Sequence, residues 1–196
     1  MGWQYNTPFI GLYVFPHCYL RLLQNLRGYL ESPLTFIEAS KYGIVDEGRK
    51  NGSWPFYPIG CLGGDIEIHF MHYFSESEAR EKWNRRTSRM NWDRESIFVK
   101  FCDNPPIEDG MNMCGEDLIV EFDKLDFAHK VCFTGKNYPN LKSTFWIKEC
   151  ANKSYVMNGV SLYGVCRKYF DLADWLNGGE GRIGITQSLL NTILYY

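Results

Sequence analysis

No stretch of this chain is long and apolar enough to span a bilayer as a helix. The start, Met1-Gly2-Trp3-Gln4-Tyr5, has neither a basic n-region nor an apolar h-region, which argues against export. Gly2 follows Met1, but position 6 is Asn rather than Ser or Thr, which argues against myristoylation. Charge of one sign is lacking too. A net charge of -2 gives no global field for a nucleic acid polymer, so any anion binding must be local. Cys18, Cys61, Cys102, Cys114, Cys132, Cys150 and Cys166 never form a Cys-x-x-Cys pair, and their number is odd. That is a poor disulfide framework and a poor zinc site, and it fits reduced, buried thiols in a cytosol. There is no Gly-x-x-x-x-Gly-Lys-Ser/Thr loop, no Gly-x-Gly-x-x-Gly, no Gly-x-Ser-x-Gly elbow and no His-Glu-x-x-His. An NTPase, a dinucleotide dehydrogenase, a nucleophile-elbow esterase and a zincin are therefore disfavoured.

What is present is an ordinary globular composition with an aromatic excess. Hydrophobic residues make up 45%, charged residues 22% and aromatics 16% of 196 residues. That length fits a single domain over 1–196 with room for a sizeable core, and the Gly135, Asn137, Pro139, Asn140 cluster marks a subdivision point near 135–143. Hydrophobic patterning predicts a buried strand over 7–15 and a helix from Pro16 carrying Tyr19, Leu22, Leu23, Leu26 and Leu30 until Pro33 ends it. A short strand follows at 34–39. Residues 40–64, punctuated by Gly and Pro, read as a long loop whose Trp54, Phe56 and Tyr57 form either a binding loop or an aromatic plug on a sheet edge. Further along, strands are expected at 65–73, 97–101, 130–134 and 144–148. Helices are expected at 75–90, 116–125, 164–176 and 188–195, with a Pro- and Gly-bearing loop at 103–114. This alternation predicts an α/β fold, layered, with a mostly parallel or mixed sheet flanked by helices. Ligands then collect at the carboxyl ends of strands, which places Tyr73-Phe74-Ser75, Cys102-Asp103 and Thr134-Gly135 on the functional rim.

Two neighbouring segments carry the candidate chemistry. On the 65–73 strand, one face holds Asp65, Glu67, His69, Met71 and Tyr73, and the other ends in His72. Acids and histidines can hold a divalent metal or move protons, so His69 or His72 is a candidate general base and Asp65, Glu67 or Asp103 a candidate metal ligand or orienting group. A half-exposed strand with a hydrogen-bonded histidine fits the same pattern. Ser75 with Glu78 has capping-box spacing and opens a helix on which Lys82, Arg85, Arg86 and Arg89 share a face. Those cations suit an anionic ligand. Glu78–Lys82 and Glu81–Arg85 are also spaced as helix salt bridges, which leaves a solvated face as the other reading. Asn84, Asn91, Trp92 and Asp93 follow as polar edges able to read hydroxyls, while Trp83 is expected in the core.

The runs Tyr5-Asn6-Thr7-Pro8-Phe9-Ile10-Gly11-Leu12, Tyr57-Pro58-Ile59-Gly60, Asp65-Ile66-Glu67-Ile68-His69-Phe70, His72-Tyr73, Ala79-Arg80-Glu81-Lys82-Trp83-Asn84-Arg85-Arg86 and Asn91-Trp92-Asp93 resemble a bacterial domain-of-unknown-function family. Its members are often labelled exopolysaccharide or capsule biosynthesis proteins. The resemblance covers roughly residues 5–135 and is strongest at 57–93. It implies an α/β protein acting as a sugar or acyl transferase, with an activated anionic donor and a glycan acceptor. It also implies a cytoplasmic location at or near the inner face of the membrane. Family members usually have a strand before the Tyr-Asn-Thr-Pro run; here the chain starts almost at that run, which predicts a missing N-terminal strand. A non-catalytic module binding a glycan or a partner enzyme is the alternative, as is a metal-dependent hydrolase built on the 65–69 acids.

Overall fold

The computed structural model describes residues 7–103, 115–153, 155–156 and 159–184. They form two compact units, one up to residue 91 and one from residue 92 onward. The 135–143 stretch lies inside the second unit. The 188–195 helix and almost all of the 103–114 loop, with Cys114, fall outside the described residues.

The first unit is a three-stranded antiparallel sheet with helices. Pro16 sits at the first turn of α1 (Pro16–Gln24), where its missing N–H costs nothing, and Asn25 leaves helical geometry before α2 (Leu26–Glu31). The expected single helix is thus two. Its leucines point inward: Leu20, Leu22, Leu23, Leu26 and Leu30 are buried. Then come β1 (Thr35–Ile37), α3 (Gly43–Lys50), β2 (Ile59–Leu62), β3 (Ile66–His69) and α4 (Glu76–Thr87). The sheet order is β1-β2-β3, with Ile59 opposite His69 and Cys61 opposite Glu67.

Two further expectations fail in this unit. Residues 40–64 are not one long loop, because they contain α3 and β2. The turn between β2 and β3 is Leu62-Gly63-Gly64-Asp65, closed by Asp65 N–H to Leu62 C=O at 3.2 Å, with both central glycines at positive φ (60° and 82°). That is hairpin chemistry, and an antiparallel pair follows from it. Gly48 lies within α3 because a side chain there would strike the Trp54 ring at 2.9 Å, so Trp54 is a plug on the helix. The 7–15 strand shrinks to one antiparallel bridge, Tyr13 with His69. Ser75 caps α4 by accepting from Glu78 N–H at 3.2 Å, and the Glu78 carboxylate reaches back to Phe74 N–H at 2.9 Å.

In the second unit a parallel sheet, ordered β4-β5-β6, is made by β4 (Phe98–Cys102), β5 (His129–Thr134) and β6 (Thr144–Trp146). Helix α5 (Glu116–Lys124) makes the β4-to-β5 crossover and buries Leu118, Ile119 and Phe122. The expected 164–176 helix is two, α6 (Gly159–Cys166) and α7 (Leu172–Leu176). Asp171 separates them by capping α7, accepting from Ala173 and Asp174 N–H at 2.9 and 3.0 Å. Helices around one antiparallel and one parallel sheet make a mixed α/β fold.

Candidate functional site

The alternation of β3 places Glu67 and His69 on one side, and Asp65 leads into it. Glu67 is only 3% exposed. Its carboxylate accepts from Ser40 Oγ at 2.7 Å and from Lys41 N–H at 2.6 Å, so the β1–α3 connection wraps around it. Its own N–H donates to Cys18 Sγ at 3.4 Å. Burial pushes the Glu67 carboxyl up, but His69, the Ser40 hydroxyl and the Lys41 N–H together hold it below the ordinary value. His69 Nε2 lies 3.5 Å from Glu67 Oε2, longer than a well-formed hydrogen bond. His69 is 1% exposed, ringed by Tyr13, Phe15, Tyr42 and Tyr57, and its Nδ1 is 3.4 Å from the Tyr57 hydroxyl.

Asp65 stands at the hairpin. Its Oδ2 takes the Arg21 guanidinium at 2.7 Å and the Tyr29 hydroxyl at 3.1 Å, and its backbone carbonyl takes the Lys41 ammonium at 2.6 Å. Asp65 Oδ1 is buried with no hydrogen-bond partner. Arg21, Lys41, Asp65 and Glu67 line an open cleft of about 440 Å³ whose walls are completed by His17, Cys18, Ile37, Cys61 and Gly64. Burial is the main cause that pushes the Cys61 thiol up, with the neighbouring Glu67 charge adding to it, so this cysteine is a neutral wall.

The remaining sequence candidates go elsewhere. His72 is on the surface, and Met71 follows it out. Lys82 pairs with Glu78 at 2.5 Å and Arg85 with Glu81 at 3.3 Å, the helix salt bridges that their spacing allows. Arg86 turns inward: its guanidinium donates to the Tyr73 hydroxyl and to Ile10 C=O at 3.4 Å, while Tyr73 donates to the same carbonyl at 2.5 Å. Arg86 is therefore a clasp for the chain entering α1. Arg89 is half-buried, and Asn84 and Asn91 are exposed. Trp83 is in the core, edge-on to Phe9 and Phe70, as expected.

Trp92 and Asp103 belong to the second unit. That sheet is parallel, and Asp103 and Thr134-Gly135 stand at the carboxyl ends of β4 and β5. Asp103 at the end of β4 accepts from Gly135 N–H, just past β5, at 2.6 Å and from Val156 N–H at 2.7 Å. Burial pushes its carboxyl up against those two bonds. In the first unit Tyr73-Phe74-Ser75 follow an antiparallel sheet and lie beyond β3, so they form no such rim. Among the described residues no group of three or more His, Cys, Asp or Glu is placed to hold a metal ion, and no helix is long and apolar enough to cross a membrane.

The cleft recruits four residues that the sequence reading passed over: Arg21, Lys41, Ser40 and Cys18. Only packing brings α1 and the β1–α3 connection onto β3, and no local spacing announces it. The segments that carry the family resemblance, β2, β3 and α4, build this same unit. The family model for the domain of unknown function (DUF1919) matches residues 1–177. The chain belongs to that family. It is also similar to an uncharacterized protein of Haemophilus influenzae (strain ATCC 51907 / DSM 11121 / KW20 / Rd), 40% identical over 173 residues, which span 88% of this chain and 72% of the relative.

Proposed function

We propose that the protein is an enzyme of surface-polysaccharide assembly, a sugar or acyl transferase, and that the cleft beside β3 holds its hydroxyl-bearing substrate. One observation carries this reading: two carboxylates and two cations share the cleft walls, and one buried carboxylate oxygen, Asp65 Oδ1, has no partner. A buried acceptor left unmet costs about 1–3 kcal/mol, which a substrate hydroxyl would recover. Glu67, held ionised, fixes the charge of the floor. Asp65 accepts the hydroxyl and is the candidate base for it. Arg21 and Lys41 replace the α4 arginines as partners for an anionic donor, since they stand at the cleft and Arg85 and Arg86 do not. The polysaccharide assignment, and with it action on the cytoplasmic side of a membrane, rests on the resemblance of the motifs at 57–93 to sequences labelled exopolysaccharide or capsule biosynthesis proteins.

A second reading is a glycan- or partner-binding module without catalysis. Phe74, exposed at 98%, and Phe56, exposed at 86% with the Arg49 guanidinium 5.0 Å from its ring, favour it, because exposed aromatic rings serve as stacking surfaces. A thermal-shift screen separates the two. Nucleotide sugars raise the melting temperature of a transferase by mass action, and Asp65→Asn reduces that rise. Stabilisation by oligosaccharides alone selects the module.

A further inference from the structure

We propose that the second unit carries a binding site of its own, for a phosphorylated sugar ring, in the cleft at the amino ends of β5 and β6. The cleft holds about 510 Å³, within the range on the order of 300–1,000 Å³ typical of small-molecule sites. Its apolar wall is Phe145, Phe170 and Trp175, whose rings pack on one another at 5.3 and 5.8 Å. Such a wall takes the apolar face of a ring.

Two cations stand beside it. Arg182 lies over the Phe145 ring at 5.7 Å and donates to Lys142 C=O at 3.2 Å, so the guanidinium is held in place with further N–H donors to spare. Lys142 has no ion pair among the described residues. A fixed fork next to an exposed ammonium suits a phosphate. Glu180, also on the wall, supplies a carboxylate for ring hydroxyls and disfavours a ligand that is anionic throughout.

The other charged groups of this cleft are already engaged. His129 Nε2 is 3.2 Å from Glu95 and its ring stacks on Phe98 at 4.3 Å. The Lys130 ammonium donates to the carbonyls of Asp123, at 2.6 Å, and Leu125. The anion therefore falls to Lys142 and Arg182. This site belongs to the second unit and stands whether or not the Asp65 cleft binds a substrate.

Isothermal titration tests it with two probes, uridine diphosphate and glucose 1-phosphate, and with inorganic phosphate as control. At least one organic phosphate binds, and better than inorganic phosphate. The exposed double variant Lys142→Ala/Arg182→Ala weakens it by about tenfold or more, and Arg182→Lys weakens it less. The part of the binding that the double variant removes persists in Asp65→Asn protein. A preference for the nucleotide or for the free sugar phosphate names the source. Circular dichroism melts establish that each variant is folded. The proposal is overturned if neither organic phosphate binds, if the folded double variant binds as tightly as wild type, or if inorganic phosphate alone binds equally well.

Discussion

Arg85 and Arg86 are neighbours in sequence but about 100° apart around α4, and they meet opposite environments. Arg85 is 55% exposed and pairs with Glu81 in water, whereas Arg86 is 9% exposed and ties Tyr73 to Ile10. Urea unfolding should separate them: Arg85→Ala changes stability by less than about 0.5 kcal/mol, and Arg86→Ala lowers it by about 2–3 kcal/mol because the buried Tyr73 hydroxyl and the half-buried Ile10 carbonyl lose a charged donor. Glu67 makes a second residue-level prediction. Its folded pKa lies below the ordinary 4.5, so its contribution to stability is present above the unfolded carboxylate value and is lost as pH falls through the folded one. The melting-temperature gap between wild type and Glu67→Gln should be constant above about pH 5 and close progressively below about pH 4. Asp103, shifted the opposite way, contributes stability that is present at low pH and lost as pH rises through its raised value. It is in both proteins and cancels in the difference.

At the scale of elements, what could be read from the sequence followed from local chemistry. Pro16, the Ser75 cap and the apolar stripes placed α1, α4 and α5 because each signal lies within a turn or two of the residue it governs. The β2–β3 hairpin was missed although Gly63-Gly64 between apolar runs is its signature, since the surrounding glycines and prolines suggested one continuous loop. Gly60 shows why a glycine in that stretch need not break a strand. A Cβ there would meet Leu34 Cδ1 at 2.6 Å and a Phe70 ring carbon at 2.7 Å, so the strand needs the missing side chain in order to pack. Gly60→Ala should cost about 1–3 kcal/mol in equilibrium unfolding by overpacking, despite the gain in strand propensity. Asp171 likewise announced a cap that splits α6 from α7, a signal hidden inside an otherwise helical run of apolar residues.

At the scale of the whole chain, the mixed α/β class was readable from alternation, while the split into one antiparallel and one parallel sheet was not, because strand direction is set by connections rather than by strand composition. The acids of the candidate site were readable because they stand two apart in the chain: Glu67 on β3 and Asp65 in the turn leading into it line the same cleft. Their cations were not, because Arg21 and Lys41 arrive from segments 24 or more residues away in the chain. The central claim is that the first unit's cleft, and not the arginine face of α4, receives the substrate. The most direct measurement is calorimetric titration of a nucleotide sugar into Lys142→Ala/Arg182→Ala protein, so that only the first unit is read, with Asp65→Asn or Arg85→Ala added. The account predicts binding that survives Arg85→Ala and weakens by about tenfold or more with Asp65→Asn; binding untouched by Asp65→Asn and abolished by Arg85→Ala would contradict it.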